Sequence, residues 1–142
     1  MIRRYNKSDI KDIIKLEESL LHTTLGENIL NDRLDDDNFF IYVYEDFGIT
    51  GYISSYFDGE TLEILNFCVD EKYQRKGIGS MLLDEVINMA KEKGGRHVIL
   101  EVNQTNEKGV SFYYKKGFKV ISVRRGYYKG IDGLLMEKIL WI

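Results

Sequence analysis

A chain of 142 residues that is 44% hydrophobic and 30% charged has the size and composition of one folded domain with a buried core, and is unlike a disordered or linker-rich segment. Its formal net charge of −3 argues against a general nucleic-acid binder, which presents a basic face. One cysteine, Cys68, excludes an internal disulfide, no apolar run reaches the roughly 18 residues of a membrane span, and no signal-peptide pattern is visible, so a cytoplasmic protein without a membrane role is expected.

Residues 1–5 read as a short strand, and Ser8 offers an N-cap oxygen to a helix over 8–21, where Ile10, Ile13, Ile14, Leu20 and Leu21 recur at helical spacing. A shorter helix over 27–34 follows, with Ile29, Leu30 and Leu34 as its apolar side. Asp35-Asp36-Asp37-Asn38 breaks the pattern as a solvated turn. Aromatic and β-branched residues make 39–44 a strand; 49–56 and 61–69 are the next two, with Asp58-Gly59 as a hairpin signal, so the three form an antiparallel meander. Ile78, Met81, Leu82, Val86, Met89 and Ala90 then share one helical face, ended by Gly94-Gly95. A strand over 97–102, a short helix over 107–116 closed by Gly117, and strands near 118–124 and 134–140 complete a β-α-α-β-β-β-α-β-α-β-β order. This order implies an α+β fold, with a mixed sheet carrying helices on both faces.

The segment Val69-Asp70-Glu71-Lys72-Tyr73-Gln74-Arg75-Lys76-Gly77-Ile78-Gly79-Ser80 carries the most chemistry. A strand ends, a polar loop follows, and a helix starts at two glycines that let a ligand approach the backbone. The first amides of a helix lack internal partners and stand at the positive end of its dipole, which makes an anion site; Arg75 and Lys76 add two cations. A pyrophosphate fits such a site. The Walker A pattern is absent, and Leu82 stands where a dinucleotide fingerprint needs its third glycine.

Gln74-Arg75-Lys76-Gly77-Ile78-Gly79 resembles the pyrophosphate loop of the GNAT superfamily of N-acetyltransferases. The resemblance is strongest over residues 63–118 and implies a single GNAT domain over 1–142, with a mostly antiparallel sheet in a three-layer α+β arrangement. It implies that acetyl-CoA is the acetyl donor, with its pyrophosphate on the amides of Arg75, Lys76, Gly77, Ile78, Gly79 and Ser80. Phe67, Cys68 and Val69 would run beside the pantetheine arm, with the Val69 N–H as oxyanion donor. The family's Asn-x6-Tyr-x3-Gly-Phe pattern falls on Asn106, Tyr113, Gly117 and Phe118, which implies that Asn106 bonds the arm and Tyr113 protonates the leaving thiolate.

The resemblance also supplies two candidates for the base that takes the amine proton. Glu101, twelve residues before Tyr113, matches the proton acceptor of the ribosomal-protein alanine N-acetyltransferases; Glu63 matches the glutamate of the histone lysine acetyltransferases. Glu101 is preferred, because Arg125-Gly126-Tyr127-Tyr128 and Asp132-Gly133-Leu134-Leu135-Met136 resemble segments of protein N-terminal acetyltransferases, with Tyr127 and Tyr128 implied to line the acceptor groove. Gly133 replaces the usual alanine of that family, Asn103 a frequent arginine, and residues 21–26 lack its Pro-Trp pair. The acceptor is then a primary amine: first a protein N-terminus such as a ribosomal-protein alanine, next a lysine side chain or a small amine. A non-catalytic acyl-CoA-binding module is the reading outside catalysis. Cys68 reads as a strand residue, and His22 and His97 form no metal-ligand set with it, so no metal is expected. Monomer and homodimer both stay open.

Overall fold

The computed structural model describes residues 1–21 and 24–140, apart from the side chains of Tyr127 and Tyr128. Its elements follow the predicted order: β1 (Ile2–Arg4), α1 (Ile10–Leu20), α2 (Gly26–Asp32), β2 (Phe39–Glu45), β3 (Ile49–Phe57), β4 (Thr61–Val69), α3 (Ile78–Glu92), β5 (His97–Asn103), α4 (Glu107–Lys115), β6 (Lys119–Tyr128) and β7 (Ile131–Ile139). The strands make a seven-stranded sheet ordered β1-β2-β3-β4-β5-β7-β6. All neighbours are antiparallel except β4 and β5, which run parallel.

Each face of the sheet takes a helical layer. On one, Ile10, Ile13 and Leu16 of α1 and Leu30 of α2 pack on Ile41, Val43 and Tyr52. On the other, Ile78, Leu82, Leu83, Val86, Ile87 and Ala90 of α3 cover Phe40, Ile53, Leu62, Ile64, Val98 and Leu100. Those α3 positions step by four, one, three, one and three, which keeps one stripe of the helix on the sheet, and burying each aliphatic side chain contributes about 2 kcal/mol. Met81, expected on this stripe, sits at its rim and is 40% exposed.

Several boundaries differ from the sequence reading, β7 for one starting at Ile131 rather than near 134. The first helix is entered through a 3-10 turn, Lys7–Asp9, capped by Asn6 rather than Ser8. Asn6 Oδ1 accepts from Ser8 N–H at 2.9 Å while Asp9 Oδ2 accepts from Asn6 N–H at 2.8 Å, a reciprocal box that Ser8 could not close. The second helix is shorter, ending at Asp32. Strand β6 runs on to Tyr128 because its hairpin with β7 stays paired to the tip, Tyr128 opposite Ile131, by accommodating extra residues after Arg124.

Candidate functional site

The parallel pairing of β4 and β5 covers only Thr61–Glu63 against His97–Ile99. Beyond it the strands part, because β5 stays paired with β7 along its length while β4 stays with β3. A β-bulge sharpens the divergence: Ile64 to Phe67 on β4 spans three steps where Ser55 to Ile53 on β3 spans two. Ser54 satisfies the bulge, its hydroxyl accepting from Asn66 N–H at 2.9 Å and donating to Asn66 O at 3.3 Å. Past the bulge, Asp70 N–H bonds Thr50 O at 2.7 Å. Antiparallel alternation then turns the neighbouring Val69 N–H away from β3 and into the fork.

Two cavities fill the fork, of about 510 and 200 Å³, and share Phe67, Asn106 and Tyr113 as walls. The larger one is lined by ten of the residues expected to hold the acetyl donor or touch its sulfur: Phe67, Cys68, Val69, Arg75, Gly77, Ile78, Gly79, Ser80, Asn106 and Tyr113. Lys76 is not among them; its ammonium lies 5.4 Å from the Tyr73 ring centre. Left-handed backbone at Arg75 (φ 65°) and Gly77 (φ 81°) curls the loop into the concave amide-lined shape that binds anions. Gly77 meets the φ requirement without a β-carbon, whereas Arg75 holds it at a cost of roughly 1–3 kcal/mol. Gln74 Nε2 donates to Val69 O at 2.9 Å and ties the loop to the end of β4. Met81 N–H is the first to close on the helix, bonding Gly77 O at 3.0 Å, so the amides ahead of it are open to a ligand.

Helix α4 closes the fork. Asn106 is its N-cap, with Oδ1 accepting from Gly109 N–H at 3.0 Å, so its carbonyl oxygen already has a structural task and its amide nitrogen is the group that can meet the donor. Tyr113 packs edge-on against Phe112 and Phe118, with ring centres 5.3 and 5.6 Å away, and is half-buried between the cavities. Burial pushes its hydroxyl well above the ordinary tyrosine value, so it stays protonated. Burial, helped by the charge of Glu17, also pushes the Cys68 thiol up to about 12, which leaves it inert as a nucleophile.

The two candidate bases part company. Glu101 lines the smaller cavity with Tyr113. Its Oε2 lies 3.6 Å from Arg124 Nε, while its Oε1 is buried without a hydrogen-bond partner among the described residues. Glu63 is exposed, sits where β4 and β5 are still paired, and lines neither cavity. No group of three or more His, Cys, Asp or Glu side chains suited to a metal occurs among the described residues. The side chains of Tyr127 and Tyr128, and residues His22 and Thr23 in the 21–26 segment, lie outside the described residues.

Sequence reasoning passed over several walls. Leu65 and Asn66 line the smaller cavity, beside Leu21 of the 21–26 segment already singled out, and Tyr73, Lys108, Gly109 and Phe112 line the larger. Gly109 and Phe112 lie inside the Asn106–Tyr113 spacing, which was the available signal. The bulge that presents Asn66 leaves no mark in composition or periodicity.

Comparison with known proteins bears on the family and the fold. A ribosomal protein bS18-alanine N-acetyltransferase of Salmonella typhimurium is 33% identical over 108 residues, 76% of this chain and 67% of that protein. Its Escherichia coli K12 counterpart is 36% identical over 70 residues, 49% of this chain, so the match spans about half that relative's length, 47%. The crystal structure of the Escherichia coli ribosomal-protein-S18-alanine N-acetyltransferase shares the fold, with a TM-score of 0.90 at 20% identity over 100% of this chain and 94% of that one. Ard1 from Thermoplasma volcanium superposes with a TM-score of 0.88 at 26% identity, over 100% and 98% of the two chains. Residues 8–118 match the acetyltransferase (GNAT) family, and the chain belongs to it.

Proposed function

We propose that this protein transfers an acetyl group from acetyl-CoA to the α-amine of a protein N-terminus, directly and without an acyl-enzyme. The observation that carries this reading is Glu101 Oε1: a buried carboxylate oxygen without a hydrogen-bond partner among the described residues, on the wall of a cavity that meets the donor cavity at Tyr113. Burying such an oxygen unsatisfied costs about 1–3 kcal/mol or more, a cost that an arriving ammonium or its water removes.

The residues present fit the donor. The amide cradle at Arg75–Ser80 suits a diphosphate, and the open N–H of Val69 suits an acyl oxygen. Acetyl-CoA, when bound, supplies an electrophilic thioester. Glu101 draws the ammonium into the smaller cavity and takes its proton as the nitrogen engages the acyl carbon. The Val69 N–H stabilises negative charge on the acyl oxygen. Tyr113 offers its proton to the departing sulfur. A departing thiolate needs a proton, and burial keeps one on the Tyr113 hydroxyl.

An α-amine, with a pKa near 8, is easier to neutralise than a lysine, near 10.4, by about 3 kcal/mol, which favours a single carboxylate base acting on an N-terminus. The names of the Salmonella and Escherichia coli relatives point to the alanine of a ribosomal protein as the first acceptor to try, in the cytoplasm. Steady-state assays with an Ala-starting peptide, an Nα-blocked lysine peptide and a polyamine test the reading. The Ala-starting peptide is expected to react best. Glu101→Gln is expected to lose about 100-fold or more in kcat/KM, with acetyl-CoA affinity unchanged. A wild-type preference for lysine or polyamine, or full activity of Glu101→Gln, would overturn it.

A further inference from the structure

Glu17, on the inner side of α1, is fully buried, with 0% of its surface exposed. Among the described residues its carboxylate takes four neutral donors from three separate places. Tyr52 O–H on β3 reaches Oε2 at 2.6 Å; the backbone N–H groups of Leu25 and Gly26, at the start of α2, reach Oε2 at 2.9 Å and Oε1 at 3.3 Å. Asn66 Nδ2, on the β4 bulge, reaches Oε2 at 3.3 Å. Burial and this carboxylate push the Tyr52 hydroxyl well up, so it remains the donor.

An apolar side chain would fill this position without the desolvation cost of a buried carboxylate. What the carboxylate adds is direction. It fixes the entry to α2 and the bulge of β4 relative to one another, two segments that the sheet does not otherwise join. The bulge borders the smaller cavity through Asn66, and the end of α1, the helix that carries Glu17, borders it through Leu21, whose N–H bonds Glu17 O at 2.9 Å. The glycine loop and α4, which wall the donor cavity, receive none of these four bonds.

We propose that Glu17 is a positioning residue for acceptor binding, its carboxylate setting the spacing between the α1 end and the β4 bulge. The inference rests on reading the smaller cavity as the acceptor site. Glu17→Gln keeps the volume but turns an NH2 group toward donors. It is expected to raise KM for the Ala-starting peptide about tenfold, as for a lost charged hydrogen bond, with acetyl-CoA Kd by calorimetry within about twofold of wild type. Tyr52→Phe, which removes one donor and keeps the ring, is expected to raise the same KM about threefold and serves where Glu17→Gln fails to fold. A merely structural role lowers the active fraction, and so kcat, while leaving KM alone; that pattern in both variants would overturn the proposal. Amide hydrogen exchange separates its failure from failure of the acceptor reading. Faster exchange at Leu25 and Gly26 in the variants, with α3 unchanged, is expected whatever the acceptor. Unchanged exchange at these amides would also overturn the proposal, whereas faster exchange beside a wild type inert toward every peptide would remove the acceptor reading on which it rests.

Discussion

Tyr113 and Glu101 line the same small cavity but are prepared in opposite ways. The tyrosine is wrapped by Phe112 and Phe118, which removes water from its hydroxyl and keeps the proton on it. The glutamate has one oxygen near Arg124 and the other without a hydrogen-bond partner among the described residues. Because burial moves the tyrosine upward from its usual value near 10, its loss of a proton falls above that pH, and an alkaline limb of the rate below about pH 10 would have another source. Tyr113→Phe keeps the ring contacts and deletes only the hydroxyl. Turnover is expected to fall about 100-fold while acetyl-CoA Kd stays within about twofold, checked by steady-state kinetics and calorimetry. Undiminished turnover would remove Tyr113 from the chemistry.

At the scale of elements, the first turn of α4 is decided by a single missing β-carbon. A β-carbon on Gly109 would stand 2.5 Å from Asn106 Nδ2 and 2.9 Å from its Cγ. Alanine is the better helix former by about 1 kcal/mol, and losing the Asn106 cap costs about as much, so the two effects on stability nearly cancel. The effect on binding does not cancel, because the displaced Asn106 belongs to the wall of both cavities. Gly109→Ala is therefore expected to melt within about 4 °C of wild type, the equivalent of 1 kcal/mol at most. Its acetyl-CoA binding is expected to weaken about tenfold by calorimetry, as for one lost hydrogen bond. The β4 bulge is the matching device on the other prong, with Asn66 N–H held by the Ser54 hydroxyl of β3.

At the scale of the molecule, the donor cavity is assembled from β4, the glycine loop, α3 and α4, which are otherwise held together mainly by the core on the α3 face. A ligand that bridges them binds only the folded chain and stabilises it by mass action. At a hundred times Kd, acetyl-CoA is expected to add about 2.7 kcal/mol, which raises Tm by roughly 5–10 °C for a chain of this size. A melting curve that acetyl-CoA leaves unmoved would contradict the donor site as a whole. The same experiment on Gly77→Ala, strained by a φ of 81° at the mouth of the loop, is expected to give the smaller shift.

The sequence by itself determined the element order, because that rests on periodicity, and its two glycines after a strand marked Gln74–Gly79 as a candidate anion site; Asn106 and Tyr113, about two helical turns apart, were legible only through the family resemblance. Only the tertiary structure puts Glu101 and not Glu63 on a cavity wall, since both are strand carboxylates and what separates them is where β4 leaves β5. It alone replaced Ser8 by Asn6 as the cap, because two reciprocal bonds outweigh one. It alone revealed Glu17, which in sequence is one more acid on a charged helix; burial and four donors from distant segments are properties of the packed chain.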